Sequence, residues 1–381
     1  MLDKFKEQSK LLPEFFAGAN SADGFYSCFE DMYSISSGDI MYILKGGPGT
    51  GKSTLMKNVT KKLIEKGEKA TLFYCSSDPD SLDGAVFEKS GTGIADGTAP
   101  HIMEARFLGV CERIVPLSEC LDNSLLYDER ERLLSLYALN SSLHKKASRL
   151  IRAAGRLLDD SFAIDCRRTD LDKAADFARK LADRVFVEKN MACDEDNRGS
   201  DGRRGEGREI KRFLSGITPK GTAVFSKTPK KLCEKVITVE DRYGGASSVI
   251  MSVLRERALR EGLTVYVCPC ALHPSRKIDH ILIPQKNVAF CTVNRTLDIE
   301  TDTSRKIHAR RFKKEDRSGE YQSRLKFNAK ASEELIGAAS QILKQAKTVH
   351  DQIESFYITA MNFDGCKAYE NRVVREISNR L

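Results

Sequence analysis

The stretch DIMYILKGGPGTGKSTLMKNVTKKLIEKG (Asp39–Gly67) determines how the rest of the chain is interpreted. Its apolar run Ile40–Leu44 predicts a buried strand, and the residues after the glycines have the pattern of an amphipathic helix. Between them, GGPGTGKS (Gly46–Ser53) has the spacing G-x-x-x-x-G-K-[ST] of a phosphate-binding loop, in the strand-then-helix context that this motif requires. The stretch therefore predicts a P-loop domain of the α/β class with a parallel sheet.

Each residue type in this loop has a physical reason. Glycines let the backbone fold closely around phosphates, so that successive N–H groups converge on the anion beside a helix N-terminus. We expect Lys52 to reach the β- and γ-phosphates, and the Ser53 hydroxyl to ligate Mg²⁺. The residues predicted to contact the nucleotide are Gly46, Gly47, Pro48, Gly49, Thr50, Gly51, Lys52, Ser53 and Thr54.

An acidic loop follows the predicted second strand, TLFYCS (Thr71–Ser76), and carries Asp78, Asp80 and Asp83. In open α/β sheets, ligands bind beyond the carboxyl ends of the strands, which is where this loop should emerge. Asp78 is therefore a candidate catalytic base or water-positioning residue. The alternative is a solvated turn in which Asp78 has only a local role.

The segment TGIADGTAPH (Thr92–His101) predicts a third short strand that ends at Asp96. A carboxylate at this point could hold Mg²⁺ from the side opposite Ser53, as a Walker B aspartate does. The alternative is that Asp96 only caps its own loop. His101 could face the same cleft, but a single histidine is more often structural, and we assign it no role.

The chain repeats itself. A shift of 195 positions places LKGGPGTGKSTLM (Leu44–Met56) on VEDRYGGASSVIM (Val239–Met251) and Gly67 on Gly262. Self-similarity over such a period indicates a duplicated structural unit. The sequence therefore predicts two tandem domains with the same α/β fold.

The second copy of the loop has lost the residues that carry the chemistry. At the shift of 195, Lys52 is replaced by Ser247, and Asp241 stands in the position of Gly46. Cys291 replaces the predicted metal carboxylate of the first copy. Since the phosphate-binding charge and the metal ligand are lost together, we expect one nucleotide site, in the first half.

A helical arm is predicted at the end of each half. Apolar residues recur every seven positions with alanines between them, which predicts closely packed helices. The repeats are Leu136, Leu143, Leu150 and Leu157 with Ala147 and Ala154, and then Leu335, Ile342 and Val349 with Ala339 and Ala346.

The boundary between the halves is visible in composition. The segment DEDNRGSDGRRGEGR (Asp194–Arg208) has four glycines, nine charges and no apolar residue, as a flexible linker does. The predicted domains are residues 1–193 and 209–381, joined by residues 194–208. We expect the isolated second half, from about Arg208 onward, to fold without binding nucleotide.

Composition and charge exclude some classes of protein. The 381 residues carry a net charge of +8, contain 11 cysteines without framework spacing, and include no run long and apolar enough to span a membrane. The N-terminus has no secretory pattern, so we expect a cytoplasmic protein without a membrane partner. With no tryptophan and 8% aromatic residues, nucleic acid is a possible partner but not the favoured one.

Two further clusters have competing interpretations. Cys268, Cys270 and His273 in CPCALH could ligate zinc, or the cysteines could be ordinary strand residues. The basic run SRKIHARRFKKEDR (Ser304–Arg317) could bind nucleic acid or an acidic partner. Its alternative, which we favour, is the solvated start of the second helical arm.

The segments GGPGTGKSTLM, CSSDPDSLDG and ADGTAPH, in this order, resemble a bacterial family of tandem P-loop proteins labelled ATPase or nucleotide kinase. The resemblance covers nearly the whole chain, and it implies ATP rather than GTP. It leaves the acceptor open, as an unknown small molecule or protein. In similar proteins both halves tend to keep a lysine-bearing loop, which this sequence does not.

Three functions remain open at this stage. The first is an ATPase or phosphotransferase in which Lys52, Asp78 and Asp96 are catalytic and Ser53 and Asp96 hold Mg²⁺. The second is a nucleotide-gated binding module with negligible turnover, in which ATP orders the acidic loop and repositions the arms. The third is an ATPase that acts with nucleic acid.

Overall fold

A computed structural model describes residues 5, 7, 9–34, 38–98, 103–187, 207–299, 305–314 and 321–381. The strands of the first half are β1 (Glu14–Phe16), β2 (Gly18–Ser21), β3 (Gly24–Ser27), β4 (Ile40–Lys45), β5 (Ala70–Tyr74), β6 (Leu82–Phe87), β7 (Thr92–Asp96) and β8 (Glu112–Pro116). Those of the second half are β9 (Glu209–Lys211), β10 (Ser215–Thr218), β11 (Gly221–Val224), β12 (Lys235–Glu240), β13 (Val265–Pro269), β14 (Ile278–Ile283), β15 (Val288–Val293) and β16 (Arg305–His308).

The helices are α1 (Lys52–Ile64), α2 (Asn123–Asp128), α3 (Arg130–Arg167), α4 (Leu171–Val187), α5 (Thr228–Leu232), α6 (Gly245–Arg260), α7 (Gln322–Ala360) and α8 (Phe363–Ser378). Short 3₁₀ turns lie at Phe29–Met32, Leu117–Cys120, Pro284–Lys286 and Ala309–Phe312. In the described part of the chain, no helix is long and apolar enough to cross a membrane. His101 and most of the predicted linker, up to residue 206, lie outside the described residues.

The two halves have the same sheet topology. The first sheet has the strand order β1-β5-β6-β7-β4-β8, and the second, read from its other edge, has the order β9-β13-β14-β15-β12-β16. These orders correspond strand by strand, and each half also carries a two-stranded hairpin, β2-β3 or β10-β11. The predicted duplication of an α/β unit is therefore confirmed.

The sheets are mixed, so the prediction of parallel sheets was wrong in one respect. Strand β6 is antiparallel to both β5 and β7, and β14 is antiparallel to both β13 and β15. The reason is the short connection, because only residues 75–81 link β5 to β6. A parallel neighbour would need a crossover of about a dozen residues or more. Asp83, interpreted as part of the acidic loop, instead lies in the core strand Leu82–Phe87.

The helical arms of the two halves pack against each other. Helices α3 and α7 run antiparallel, since Tyr137 near the start of α3 meets Tyr357 near the end of α7. At the other end of the pair, Arg324 meets Asp160. The predicted seam is present between them, with Ala147 and Ala339 both buried in one apolar cluster.

After each long arm, the chain crosses to the other half. Helix α4, from the first half, buries Ala174, Ala178, Leu181, Ala182 and Phe186 in the apolar core of the second sheet and α6. Helix α8, from the second half, buries Val373, Val374 and Ile377 in the core of the first sheet and α1. Each half therefore completes the core of the other, which changes our expectation for an isolated half.

Candidate functional site

The glycine-rich loop lies between β4 and α1, at the carboxyl end of β4, which is an inner strand between β7 and the edge strand β8. Gly49 and Gly51 have φ values of 69° and 84°, in the left-handed region that other residues rarely adopt. The Thr50 hydroxyl donates to the Gly47 carbonyl at 2.8 Å and fixes the turn. Helix α1 starts at Lys52, so its free N–H groups face this loop.

Lys52 lies folded back over the loop. Its Nζ donates to the carbonyl oxygens of Gly46 at 2.7 Å and Gly47 at 2.8 Å. The same Nζ lies 3.6 Å from Oδ2 of Asp96, and both side chains are largely buried. A positive charge at the start of a helix, with the helix dipole behind it, is an arrangement that attracts anions.

Asp96 and Ser53 are the two residues predicted to hold the metal, and each has local hydrogen-bond partners. Asp96 is the last residue of β7, which pairs with β4, and its Oδ1 accepts from the backbone N–H of Thr98 at 2.9 Å and from the Thr98 hydroxyl. The Ser53 hydroxyl accepts from the N–H of Leu82 at 2.9 Å. A hydroxyl and a carboxylate are both oxygen ligands of the kind that Mg²⁺ prefers.

Asp78 is held by the other half of the molecule. Its Oδ2 accepts from the Ser81 hydroxyl at 2.9 Å and lies 3.3 Å from Nζ of Lys347 on α7. Lys347 also pairs with Asp351, and its pKa is raised by these two carboxylates, which outweigh its partial burial. Lys347 was not predicted, because nothing local in the sequence connects it with Asp78.

Asp83 is the carboxylate that sequence reasoning misplaced. It lies on β6 with a 4% exposed side chain, rather than in a solvated loop. Its pKa is raised well above the ordinary value, mainly by burial and then by the charge of Asp96, while Lys52 acts in the opposite direction. The charge of Lys52 therefore acts on the carboxyl group of Asp83 as well as on that of its ion-pair partner Asp96. The short apolar run Ala85–Phe87 that follows Asp83 in LDGAVF was the signal of a buried strand that could have found it.

Helix α7 of the second half forms a wall over the loop. A Cβ atom on Gly47 would lie 2.4 Å from the ring of Tyr357, and one on Gly49 would lie 2.6 Å from the backbone oxygen of Glu354. Both glycines are needed for this close approach, and Gly49 also for its left-handed backbone conformation. The Tyr357 hydroxyl in turn bonds to that of Tyr137 at 2.9 Å. The packed pair of helices α3 and α7 is therefore in direct contact with the loop.

One group among the described residues has side chains that converge as metal ligands do. It consists of His350, Asp351 and Glu354 on α7, with one ligand atom from each lying within 4.8 Å of the others. The group borders the glycine-rich loop, because the backbone of Glu354 lies against Gly49. Within the described part of the chain, the CPCALH residues (268–273) do not form such a group.

The corresponding loop of the second half is shorter and closed. It consists of residues 241–244 before α6, two fewer than the first loop. Oδ2 of Asp241 accepts from the N–H groups of Ala246 at 2.9 Å and Ser247 at 2.8 Å. Oδ2 of Asp165 on α3 accepts from the N–H of Gly245 at 3.0 Å. The protein's own carboxylates thus take the N–H groups that an anion would use.

The basic run does not begin the second arm, so that interpretation was wrong. Its described part forms β16 and the following turn, and β16 is an edge strand parallel to β12. Phe312 is buried against Phe177 of α4, with ring centroids 5.4 Å apart. The apolar residues within the run place its backbone on the sheet, and the arm begins later, at Gln322.

The chain was compared with known proteins. Residues 27–85 match the family model described as Nephrocystin 3, N-terminal. This segment contains β4, the glycine-rich loop, α1, β5 and the first four residues of β6. No curated protein matches the chain, and no solved structure matches it.

Proposed function

We propose that the first half is a P-loop domain that binds Mg·ATP at Gly46–Ser53. The observation that carries this proposal is the position of Lys52, at the start of α1 and 3.6 Å from Asp96, beside a loop of glycines. In this proposal, phosphate oxygens replace the Gly46 and Gly47 carbonyls as partners of the Lys52 amine. The loop and α1 N–H groups then bind the remaining phosphate oxygens.

Ser53 and Asp96 would hold the magnesium ion. Mg²⁺ usually binds one or two protein oxygens together with phosphate oxygens and water. Asp96 lies next to the predicted phosphate position, and a metal ion there would compensate the negative charge that it brings. When bound, the ion would neutralise part of the phosphate charge, and Lys52 would stabilise charge on the transferred group.

The reaction that fits this site is phosphoryl transfer to water or to an acceptor, as in an ATPase or a nucleotide-kinase-like enzyme. The resemblance of GGPGTGKSTLM, CSSDPDSLDG and ADGTAPH to tandem P-loop proteins supports the same class. Asp78, held by Ser81 and Lys347, is the proposed positioning group for the attacking water or hydroxyl. The acceptor, if other than water, is a small molecule or a protein.

A second candidate function is a nucleotide-gated module. It is favoured by the contact of α7 with the loop, because Tyr357 and Glu354 lie where any movement of the loop would displace them. Nucleotide binding could then change how the arms pack, with slow turnover or none.

The direct test is to incubate the full chain with Mg·ATP, with and without a panel of nucleotides and metabolites, and to follow ADP and phosphorylated products. Lys52→Ala is the control for contaminating activity. Sustained ADP formation that requires Lys52 supports the enzyme. Tight ATP binding without turnover supports the gated module, and the absence of ATP binding contradicts both.

A further inference from the structure

A cavity of about 490 Å³ lies in the second half, beyond the carboxyl ends of β12, β13 and β15. This edge of the second sheet corresponds to the edge of the first sheet where the glycine-rich loop lies. The arms α3 and α7 form one side of the cavity and the hairpin β10-β11 another. Small-molecule sites usually have volumes of about 300–1,000 Å³ and occur at this edge of α/β sheets.

The closed loop borders the cavity through Arg242 and Tyr243, but it offers no free helix N–H groups to a ligand. The α6 N–H groups bond to Asp241 and Asp165, so a ligand in the cavity cannot be held as a nucleotide phosphate is held by a P-loop. The wall residues are of two kinds, apolar and charged. The apolar ones include Phe162, Ile217, Leu272, Leu297 and Ile336.

The charged wall residues are mostly paired, and the pairing leaves positive charge in excess. Lys277 lies 3.0 Å from Asp279, and Arg276 lies 3.4 Å from Asp159. Arg242 has no carboxylate partner among the described residues, and its guanidinium lies 5.2 Å from the ring centroid of its neighbour Tyr243.

Arg295 is weakly paired, since its Nη1 is 3.9 Å from Glu333. Both Arg242 and Arg295 act on Tyr243, where their charges oppose the rise in pKa that burial causes. Arg242, Tyr243 and Arg295 all line this one cavity. Guanidinium groups bind carboxylates and phosphates through paired N–H donors.

We propose that this cavity binds a small molecule with an apolar body and one anionic group, a carboxylate or a phosphate. The anionic group lies between Arg242 and Arg295, and the body packs against Leu272, Leu297 and Ile336. This site goes beyond the proposed nucleotide function, because it lies in the half whose own loop is closed. It gives the second half a binding role of its own.

The test is isothermal titration calorimetry of the full chain with three probes that share a phenyl ring: phenyl phosphate, phenylacetate and benzyl alcohol. At least one of the two anions should bind, with a dissociation constant at least about tenfold below that of neutral benzyl alcohol. Which anion binds more tightly distinguishes phosphate from carboxylate. No binding of any probe at millimolar concentration, or equal binding of the alcohol, overturns the proposal.

Substitutions in the cavity wall test whether the probe binds in this cavity. Arg242→Ala and Arg295→Ala should each weaken anion binding about tenfold, since each removes a charge-assisted hydrogen bond. Arg260→Ala, at an exposed arginine of α6 outside the cavity, should leave it unchanged. Unchanged affinity in both cavity variants contradicts the proposal.

Lys52→Ala separates this site from the proposed nucleotide site. Phenyl phosphate should bind Lys52→Ala as it binds the unmodified protein, whereas loss of binding would place the probe at the glycine-rich loop and overturn the cavity proposal. Ala329→Trp, which fills the cavity from α7, should abolish binding while thermal unfolding shows that the protein remains folded. Binding retained in this folded variant also contradicts the proposal.

Discussion

The two loops of this molecule stand at equivalent points of equivalent sheets, yet they differ in which groups face the start of the helix. In the first half, six residues separate β4 from α1 (Gly46–Gly51), and the cation of Lys52 lies over the loop. In the second half, the loop is two residues shorter, and the carboxylates of Asp241 and Asp165 bond to the first N–H groups of α6.

The difference shows how a duplicated fold can be kept while the groups that face the helix N-terminus change. A helix N-terminus needs partners for its free N–H groups whether or not it binds a ligand. In the second half, Asp241 and Asp165 provide them, and Lys313 donates to Oδ1 of Asp165 at 2.6 Å and offsets its charge. The fold keeps its stability, and the place that phosphate would take is filled by the protein itself.

The largest effect is expected from separating the halves. A chain from Arg208 onward lacks α4, which buries Leu181 and Phe186 among other residues in the second core. A fully buried side chain of this size contributes about 1.5–3 kcal/mol, and whole domains are stable by only about 5–15 kcal/mol. We therefore expect this fragment to lack a cooperative unfolding transition by circular dichroism.

The control is the same fragment co-expressed with residues 1–193, which should restore a folded complex. A cooperative transition of the fragment alone would show that the second half is independent, and that the exchanged helices contribute little.

The next effect concerns the charge of the first loop. Lys52→Ala should weaken ATP binding roughly ten- to a hundredfold or abolish it, because a charged contact is typically worth ~1.5–3 kcal/mol. Calorimetry on the unmodified chain should give one nucleotide per chain, with none detected in the variant. Lys61→Ala, on the same helix, is the matched control. Two nucleotides per chain would mean that the second loop also binds, despite Asp241 and Asp165.

A further test separates the metal from the nucleotide. Asp96→Asn keeps the side-chain shape and removes the charge that the proposed Mg²⁺ site requires. We expect a larger loss in Mg²⁺-dependent turnover than in nucleotide binding measured with chelator present. If the Mg²⁺ response is unchanged, Asp96 only caps its loop through Thr98, and another carboxylate serves the metal.

The ionisation of Asp83 allows a pH-dependent test of the buried carboxyl group in the first half. The folded-state pKa of Asp83 is raised, so its protonated form contributes to the stability of the fold at low pH. This contribution to stability is lost as the pH rises from the unfolded-state pKa near 3.8 through the folded-state pKa. Asp83→Asn removes the ionisation. The variant should therefore gain stability over the unmodified protein as pH increases from about 4 to 8, within the ~0.5–3 kcal/mol that single substitutions usually cover.

Urea unfolding at several pH values measures this difference, with Asp176→Asn, an exposed residue of α4, as the control. A stability difference that does not change with pH would mean that Asp83 is charged at little cost beside Lys52.

The sequence predicted those features of the fold that depend on neighbouring residues or that repeat along the chain. The unit of β4, loop and α1 was visible in one stretch, and the duplication followed from the shift of 195 residues. The antiparallel β6 was missed because the charge of Asp83 hid a buried strand. The exchange of α4 and α8 was missed because the apolar face of a helix, seen in the sequence, does not indicate which of the two cores it packs against.

The smallest effect tests whether the second half takes part in the first site. Lys347→Ala removes the ion pair with Asp78, which is partly exposed on both sides. Partly exposed pairs are worth about 0–1 kcal/mol, so ATP affinity or turnover should change by about fivefold at most. Lys344→Ala, one turn earlier on α7, is the control.

If Asp78→Asn reduces turnover and Lys347→Ala has no effect on it, then Asp78 acts without a contribution from helix α7. If both variants reduce turnover and the double variant reduces it no further, the two residues act as one unit. In that case the second half, whose own loop is closed, contributes to the site in the first.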